Sequence, residues 1–264
     1  MELSDSTYKF GSTVVLAYPD ATRLAGYRVA LGLWTQLSSS GAKRMCTSYF
    51  LKDAEQAIKS QGISEIDCAD ASKTGVRVLF GTSATLPDVT FCFVNGLPAQ
   101  EHIPALVDGI LGVLEAQGGV QRLIVPAAAN VSGIRVADSL WVRSTGGLVV
   151  PGVPQIPEGV PQIPEGAQTN DVVLSALDNL GSVSAIKDVV LLVHGDKRPS
   201  GSGYRQTVTF GSEYVDETDL AVVNALSSAL AVVAGVTDTV ALLPPVTRTR
   251  LNIDAAAKAL PAFG

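Results

Sequence analysis

Three polar residues follow apolar runs that the sequence pattern predicts to be buried strands. Asn95, Asn130 and His194 occupy these positions, and Asp196 lies two residues beyond His194. In open α/β sheets, ligands bind outside the carboxyl ends of the strands. Because histidine titrates near neutral pH, His194 and Asp196 could act as a general acid and base, with Asn95 nearby. The alternative is that these are the polar residues of ordinary strand-to-loop boundaries, and Gly195 favours a turn there.

The familiar catalytic and phosphate-binding motifs are absent from the sequence. There is no Gly-x-Ser-x-Gly elbow, no G-x-x-x-x-G-K-[ST] loop and no G-x-G-x-x-G after a strand. The two histidines and the three cysteines (Cys46, Cys68 and Cys92) show no metal-ligand spacing, so we predict neither a metal site nor a cofactor. Since Cys92 lies within an apolar run, the cysteines are interpreted as buried thiols in a reducing compartment.

A strand–helix–strand unit between residues 89 and 126 organises the predicted fold. An apolar, β-branched run at 89–94 is followed by a turn, by apolar residues at helical spacing from Ile103 to Leu114, and by a second strand at 123–125 that Pro126 ends. Such a βαβ unit implies parallel strands, and fully apolar strands imply burial on both faces. The sequence therefore predicts an α/β fold, a single three-layer domain over 1–264 with a mostly parallel, mixed central sheet.

The remaining elements follow from the same patterns. Residues 127–130 are predicted to be a loop and residues 137–142 a helical turn, and Pro87-Asp88 predicts an antiparallel hairpin between 76–80 and 89–94. Asn170 is expected to cap the helix that follows it. Further strands are predicted at 13–18, 44–51, 188–193, 204–210 and 239–243, and further helices at 24–38, 53–59, 172–180, 219–234 and 252–260.

The composition is that of a well-buried globular protein. Hydrophobic residues make up 47% and charged residues 17%. The net charge is −6 and the sequence has no stripe of Lys and Arg residues, which argues against binding to nucleic acid. The longest apolar run, 220–236, contains Asn224 and two serines and predicts a buried helix rather than a membrane span. Residues 1–10 do not have the pattern of a signal peptide. We therefore expect cytoplasmic residence, with the nucleus as a second compartment, and no membrane or nucleic-acid partner.

A tandem repeat interrupts the predicted elements. The heptad Val-Pro-Gln-Ile-Pro-Glu-Gly occurs at 153–159 and again, unchanged, at 160–166. Two prolines in each copy exclude a helix or a central strand. We interpret residues from about 144 to about 169 as a surface loop insertion that grew by duplication where nothing packs, with a polyproline II ligand as the alternative.

The last third of the chain resembles the C-terminal helix–strand unit of the proteasome assembly chaperone 1 family. An acidic entry at 215–219 leads to an Ala/Val/Leu/Ser helix, a turn at 235–238, a strand at 240–243 and Pro244. The family is also similar in its early strand–helix segment, here 14–37, and in its central strand–helix–strand unit, here 89–125. The resemblance implies a phosphorylase/hydrolase-like sheet without catalytic residues. It also implies a non-enzymatic chaperone of 20S proteasome α-ring assembly that binds α subunits as a heterodimer with a second assembly chaperone.

The last three residues, Ala262, Phe263 and Gly264, bear on the same resemblance. Proteasome assembly chaperones and activators share a hydrophobic–tyrosine–any tail that docks between α subunits, and Phe263 keeps the ring but lacks the hydroxyl. The resemblance implies that this tail binds the partner, whereas the alternative is a frayed terminus that ends in Phe-Gly by chance.

Two other interpretations of the whole chain stay open. One is a small-molecule hydrolase or phosphorylase-like enzyme that uses His194, Asp196 and Asn95, and the other is an α/β protein of an unrelated family. An enzyme requires polar groups that converge in one enclosed pocket, whereas a chaperone requires an apolar contact surface.

Overall fold

The computed structural model describes residues 1–20, 25–37, 43–50, 76–132, 139–146, 159–195 and 217–236. The strands in these ranges are β1 (Thr13–Ala17), β2 (Lys43–Phe50), β3 (Val76–Ser83), β4 (Leu86–Val94), β5 (Arg122–Ala129), β6 (Leu140–Ser144) and β7 (Asp188–Gly195). The helices are α1 (Ala25–Leu37), α2 (Ile103–Gln117), α3 (Val172–Gly181) and α4 (Glu217–Val233), and a 3-10 turn at Gln100–His102 precedes α2.

All seven strands form one sheet in the order β2-β3-β4-β1-β5-β7-β6. The four central strands, β4, β1, β5 and β7, are parallel, and the outer strands β2, β3 and β6 pair antiparallel. The predicted βαβ unit is present as β4–α2–β5, and its two strands lie on either side of β1. The predicted hairpin is present as β3–β4, but its turn lies at residues 84–85, so Pro87 and Asp88, predicted to form the turn, lie within β4. The α/β, mixed-sheet prediction is confirmed, with parallel pairing in the centre and antiparallel pairing at the margins.

Two apolar cores separate the layers of the fold. Helices α2 and α3 pack on one face of the sheet, and α1 and α4 pack on the other. Along β1, Val14 and Leu16 face α2 and α3, whereas Val15 and Ala17 face α1 and α4. Because successive side chains of a strand point to opposite faces, burial on both faces requires every position to be apolar. This explains the continuous apolar runs and confirms the three-layer prediction.

Strand β5 continues past the proline at which the sequence predicted its end. Residues 127–129, predicted to be a loop, are paired with β7 as far as Ala129. The ladder with β1 ends at the pair Val15↔Ile124, so Pro126 lies beyond the pairing on that side. A proline within a strand is tolerated where it removes no ladder hydrogen bond. The pairing pattern therefore accounts for a proline in a central strand.

The prediction of a helical turn at 137–142 is wrong, because residues 140–144 form β6. This strand pairs antiparallel with β7, from Leu140↔His194 to Ser144↔Val190. A short apolar run does not distinguish a helical turn from a strand, and here the partner strand decides. The predicted strands 204–210 and 239–243, the helices 53–59 and 252–260, and Cys68 all lie outside the described residues.

The second heptad packs against the sheet, contrary to the expectation that nothing packs in the repeat. Ile163 is buried in the core on the α2/α3 face. Gln162 forms a parallel bridge with Val142 of β6. The prediction that the repeat forms neither a helix nor a central strand agrees with the structure, because the second heptad lies along the outer edge of β6. Residues 153–158 of the first heptad are outside the described part of the chain.

We predict that Gly26→Ala destabilises the fold, because the start of α1 lies directly against β5. A Cβ atom at Gly26 would lie 1.8 Å from the Pro126 carbonyl oxygen. The helix would have to move, at a cost of about 2 kcal/mol or more in the free energy of unfolding. The matched control is Gly32→Ala on the same helix, where a Cβ meets nothing within 4 Å. This control should stabilise by about 0.5–1 kcal/mol in urea unfolding. Equal effects of the two substitutions would contradict the close contact.

Candidate functional site

The carboxyl edge of the parallel strands is where a ligand site is expected. The chain leaves β1 toward α1 on one face of the sheet and leaves the neighbouring β4 toward α2 on the other. Such a reversal between adjacent strands opens a crevice in α/β proteins. The polar residues at this edge are Tyr18 and Asp20 after β1, Asn95 after β4, Asn130 after β5, and His194 near the end of β7.

Asp20 caps the start of α1. Its Oδ1 accepts a hydrogen bond from the Ala25 N–H at 3.2 Å, and its Oδ2 accepts one from the Gly26 N–H at 2.7 Å. The first N–H groups of a helix lack partners within the helix, and a carboxylate there also interacts favourably with the helix dipole. Asp20 is buried. Both oxygens of its carboxylate therefore accept hydrogen bonds from backbone N–H groups of the same chain.

Asp171 caps α3 in the same way. Its Oδ1 accepts hydrogen bonds from the N–H groups of Val173 at 2.9 Å and Leu174 at 3.1 Å. The prediction that Asn170 caps this helix is therefore wrong, because the cap is the next residue, Asp171. Asx side chains suit either position, and only the backbone geometry decides between them.

Tyr18 is buried near these two acids. Burial first, and then the carboxylates of Asp171 and Asp20, raise the pKa of the Tyr18 phenol well above its ordinary value. A phenol in this environment keeps its proton at neutral pH, because its anion would be formed out of water beside negative charge. The group therefore does not have the protonation state of a general base.

A short ladder covers the end of β5. The Asn130 N–H donates to Asn170 Oδ1 at 2.9 Å, and the Asn170 N–H donates to the Asn130 carbonyl at 3.0 Å. Val131 forms an antiparallel bridge with Thr169, and the Ser132 N–H donates to the Gln168 carbonyl at 2.8 Å. We call residues 130–132 and 168–170 the strand-end ladder. It places a second segment of chain where a substrate would approach β5.

Asn95 completes the β3–β4 hairpin rather than facing a crevice. Its Oδ1 accepts from the Arg77 N–H at 2.6 Å, and its own N–H donates to the Arg77 carbonyl at 3.0 Å. These bonds direct the amide toward β3, away from β1.

His194 is 7% exposed, and its Nδ1 lies 3.0 Å from the Gly195 carbonyl oxygen. Strand alternation places it on the face of Val190 and Leu192, which pack toward α1 and α4. Strands β4 and β7 are separated by β1 and β5, which makes about 14 Å between Asn95 and His194 at ~4.8 Å per strand. The two residues therefore do not converge on one small substrate. Asp196 lies outside the described residues.

One cavity among the described residues lies away from this edge. It has a volume of about 450 Å³ and opens between α3, β7 and the end of the second heptad. Arg143 forms an ion pair there with Asp178, and its Nη2 donates to the carbonyls of Pro164 and Ala167, each at 3.1 Å. None of the residues predicted for catalysis lines this cavity. Its one guanidinium is already bonded to a carboxylate and to the backbone.

A buried ion pair at the opposite, amino edge of the sheet escaped the sequence analysis. Arg122 and Asp188 are both fully buried, with Nε and Nη2 of the arginine 2.8 and 2.7 Å from Oδ2 of the aspartate. The other oxygen, Oδ1, accepts from the Ser144 hydroxyl and from the Gly146 N–H at 3.2 Å. The sequence contained a signal for this pair, because each of the two charged residues comes immediately before an apolar run. The structure places the two residues opposite each other on adjacent parallel strands.

Among the residues that the structure describes, no group of three His, Cys, Asp or Glu side chains is placed to hold a metal ion. No helix of the described part has the length and apolar character to cross a membrane. Large apolar side chains exposed on the described surface are Val183 and Val232.

The fold is similar to that of a solved archaeal structure related to the proteasome. The chain matches PbaB of Pyrococcus furiosus, an archaeal proteasome activator, over 91% of each chain, with 14% identity and a TM-score of 0.54. It matches PbaA of the same organism, an archaeal homologue of proteasome-assembly chaperone, over 97% of this chain and 98% of PbaA, with 14% identity and a TM-score of 0.47. A PAC2 family protein from Streptomyces avermitilis matches at 12% identity over 88% of this chain and 91% of that protein, with a TM-score of 0.41. No protein-family model and no curated protein matches the sequence.

We predict that Asp171→Ala lowers the free energy of unfolding by about 1–2 kcal/mol, because two N–H groups at the start of α3 lose their acceptor. Asp171→Asn is the matched control, since an asparagine Oδ1 can accept the same hydrogen bonds. Urea unfolding of the two variants should therefore separate them. If Asp171→Asn were as destabilising as Asp171→Ala, the charge rather than the cap would be what the fold requires.

Proposed function

We propose that this chain is a non-enzymatic binding protein that assists assembly of the 20S proteasome α ring, as a heterodimer with a second assembly chaperone of similar fold. The observation that carries the proposal is the state of the carboxyl edge. Asp20 and Asp171 bond to helix N–H groups, Asn95 bonds to Arg77, and the strand-end ladder covers β5. Polar groups committed in this way serve the fold, which supports a binding role for the chain.

The fold likeness supports the same proposal. The similarity to the archaeal proteasome activator PbaB extends over 91% of both chains. On the resemblance stated above, α subunits of the proteasome would be the partners of the outer surface. We further propose cytoplasmic residence, which the free, buried thiols of Cys46 and Cys92 support, because buried thiols persist in reducing compartments.

The proposed partner-binding tail is Ala262, Phe263 and Gly264, which lies outside the described residues. A terminal carboxylate can pair with a lysine of the ring, and the Phe263 ring can fill an apolar slot between α subunits. The missing hydroxyl predicts weaker docking than a tyrosine at the same position would give.

The proposal is tested by affinity purification of the tagged full chain followed by mass spectrometry. We expect recovery of proteasome α subunits together with a second α/β chaperone, and the same recovery from a His194→Ala variant. Recovery of neither partner, with turnover of a small-molecule substrate by the pure protein that His194→Ala abolishes, would replace the chaperone proposal with the enzyme alternative.

For the tail, we predict that deletion of residues 262–264 weakens binding to purified α ring at least tenfold, because the aromatic anchor would be lost and the terminal carboxylate would move three residues away from its partner. Phe263→Tyr should strengthen binding, since it adds the hydroxyl of the family pattern. Thermal unfolding of both variants should match that of the parent chain, which separates docking from folding. Affinities that do not change would remove the tail from the mechanism.

A further inference from the structure

The outer edge of β6 is covered by one extended segment, residues 160–167, which we call the strap. The Val142 N–H donates to the Pro161 carbonyl at 3.0 Å, and the Ile163 N–H donates to the Val142 carbonyl at 2.8 Å. These two bonds form the parallel bridge between Val142 and Gln162. Within the described residues, this is the one bridge that joins the strap to β6. The strap therefore pairs with the edge at a single point.

The proline at position 161 prevents a longer ladder. Backbone groups alternate in direction along a strand, so Leu140 turns its carbonyl to the same edge as Val142. In parallel pairing, the Ile163 N–H bonds to Val142, and the N–H of residue 161 would bond to the Leu140 carbonyl. Because proline has no N–H, the strap does not make this bond. A segment with any other residue at this position gains a hydrogen bond that the strap lacks.

Two apolar side chains hold the strap on opposite faces of the sheet. Ile163 is buried in the α2/α3 core, and Val160 packs against the α1/α4 core. Side chains three residues apart in an extended chain point to opposite faces. Pro161 and Gln162, between them, are exposed. The edge therefore favours an extended segment with two apolar residues three positions apart, and it places no packing requirement on the two residues between them.

The C-terminal end of the strap is not closely packed on α3. Ile163 and Ala167 line the cavity of about 450 Å³ that opens between the strap and this helix. Arg143 spans the gap, because its Nη2 donates to two strap carbonyls at 3.1 Å and its Nη1 pairs with Asp178. The acceptors on the strap are backbone carbonyls, which every extended segment carries. These contacts therefore do not require the sequence of the strap itself.

We propose that the β6 edge is a docking site for an extended segment of a partner protein, and that the strap is an intramolecular ligand that the partner displaces. The partner segment adds a strand parallel to β6. It carries apolar residues at the positions of Val160 and Ile163 and a residue other than proline at the position of Pro161. Because it belongs to another chain, it needs no connection to β6. The site is independent of the α-ring proposal, since it depends only on contacts within this chain.

The test measures the binding of a labelled peptide to the pure full chain. The probe is the acetylated peptide Val-Ala-Gln-Ile-Pro-Glu-Gly, which is the heptad with alanine in place of its first proline. Ile163→Asp places a charge at the buried position of the strap and should expel the strap from the edge. Because the strap competes with the probe, we expect Ile163→Asp to bind the probe at least tenfold more tightly than the parent chain in fluorescence polarisation. Equal affinities, or binding to neither chain, would overturn the proposal.

A second peptide tests whether the probe binds by strand pairing. Its alanine is replaced by N-methylalanine, which keeps the side chain but removes the N–H directed at Leu140. We expect it to bind Ile163→Asp about two- to tenfold more weakly than the probe, which is the net effect of one hydrogen bond. Equal binding of the two peptides would contradict the added strand. If thermal unfolding shows that Ile163→Asp does not fold, Ile163→Ala takes its place, and the same order of affinities is expected.

Discussion

The N–H groups at the start of a helix are the constraint on which the carboxyl edge of this sheet depends. Helices that follow parallel strands begin at the same edge, and each brings several N–H groups that no residue within the helix can satisfy. Here Asp20 and Asp171 supply the acceptors for α1 and α3, on opposite faces of the sheet. Tyr18 is buried near both. Both carboxylates are therefore bonded to the backbone of the helices that they cap.

The parts of the fold that the sequence predicted well are those with local causes. The β4–α2–β5 unit shows two continuous apolar runs with helical spacing between them, and the β3–β4 hairpin joins two strands that are adjacent in the sequence. Pairing between distant segments decided the rest. Whether 140–144 is a strand depends on β7, and whether β5 passes Pro126 depends on where β1 stops. The arrangement of Asn95, Asn130 and His194 could not be predicted for the same reason, since three strands at the correct edge do not determine which side chains face one another.

The buried pair of Arg122 and Asp188 fixes the amino edge of the sheet as the caps fix the carboxyl edge. A buried charge is tolerated when its partner and further hydrogen bonds compensate for the lost water. Asp188 meets this condition through Arg122, Ser144 and the Gly146 N–H. The pair therefore joins the starts of β5 and β7 to the end of β6. It also fixes the point from which the chain departs toward the repeat.

Both outer strands of the sheet are covered by segments that are not strands of the sheet. On β2, the Ser4 N–H donates to the Thr47 carbonyl at 2.8 Å, and Leu3 forms a bridge with Ser48. On β6, the second heptad occupies the corresponding position. An exposed edge strand invites pairing with another chain, and proline-rich cover prevents it because proline offers no N–H. A partner that bound by adding a strand would first have to displace one of these covers.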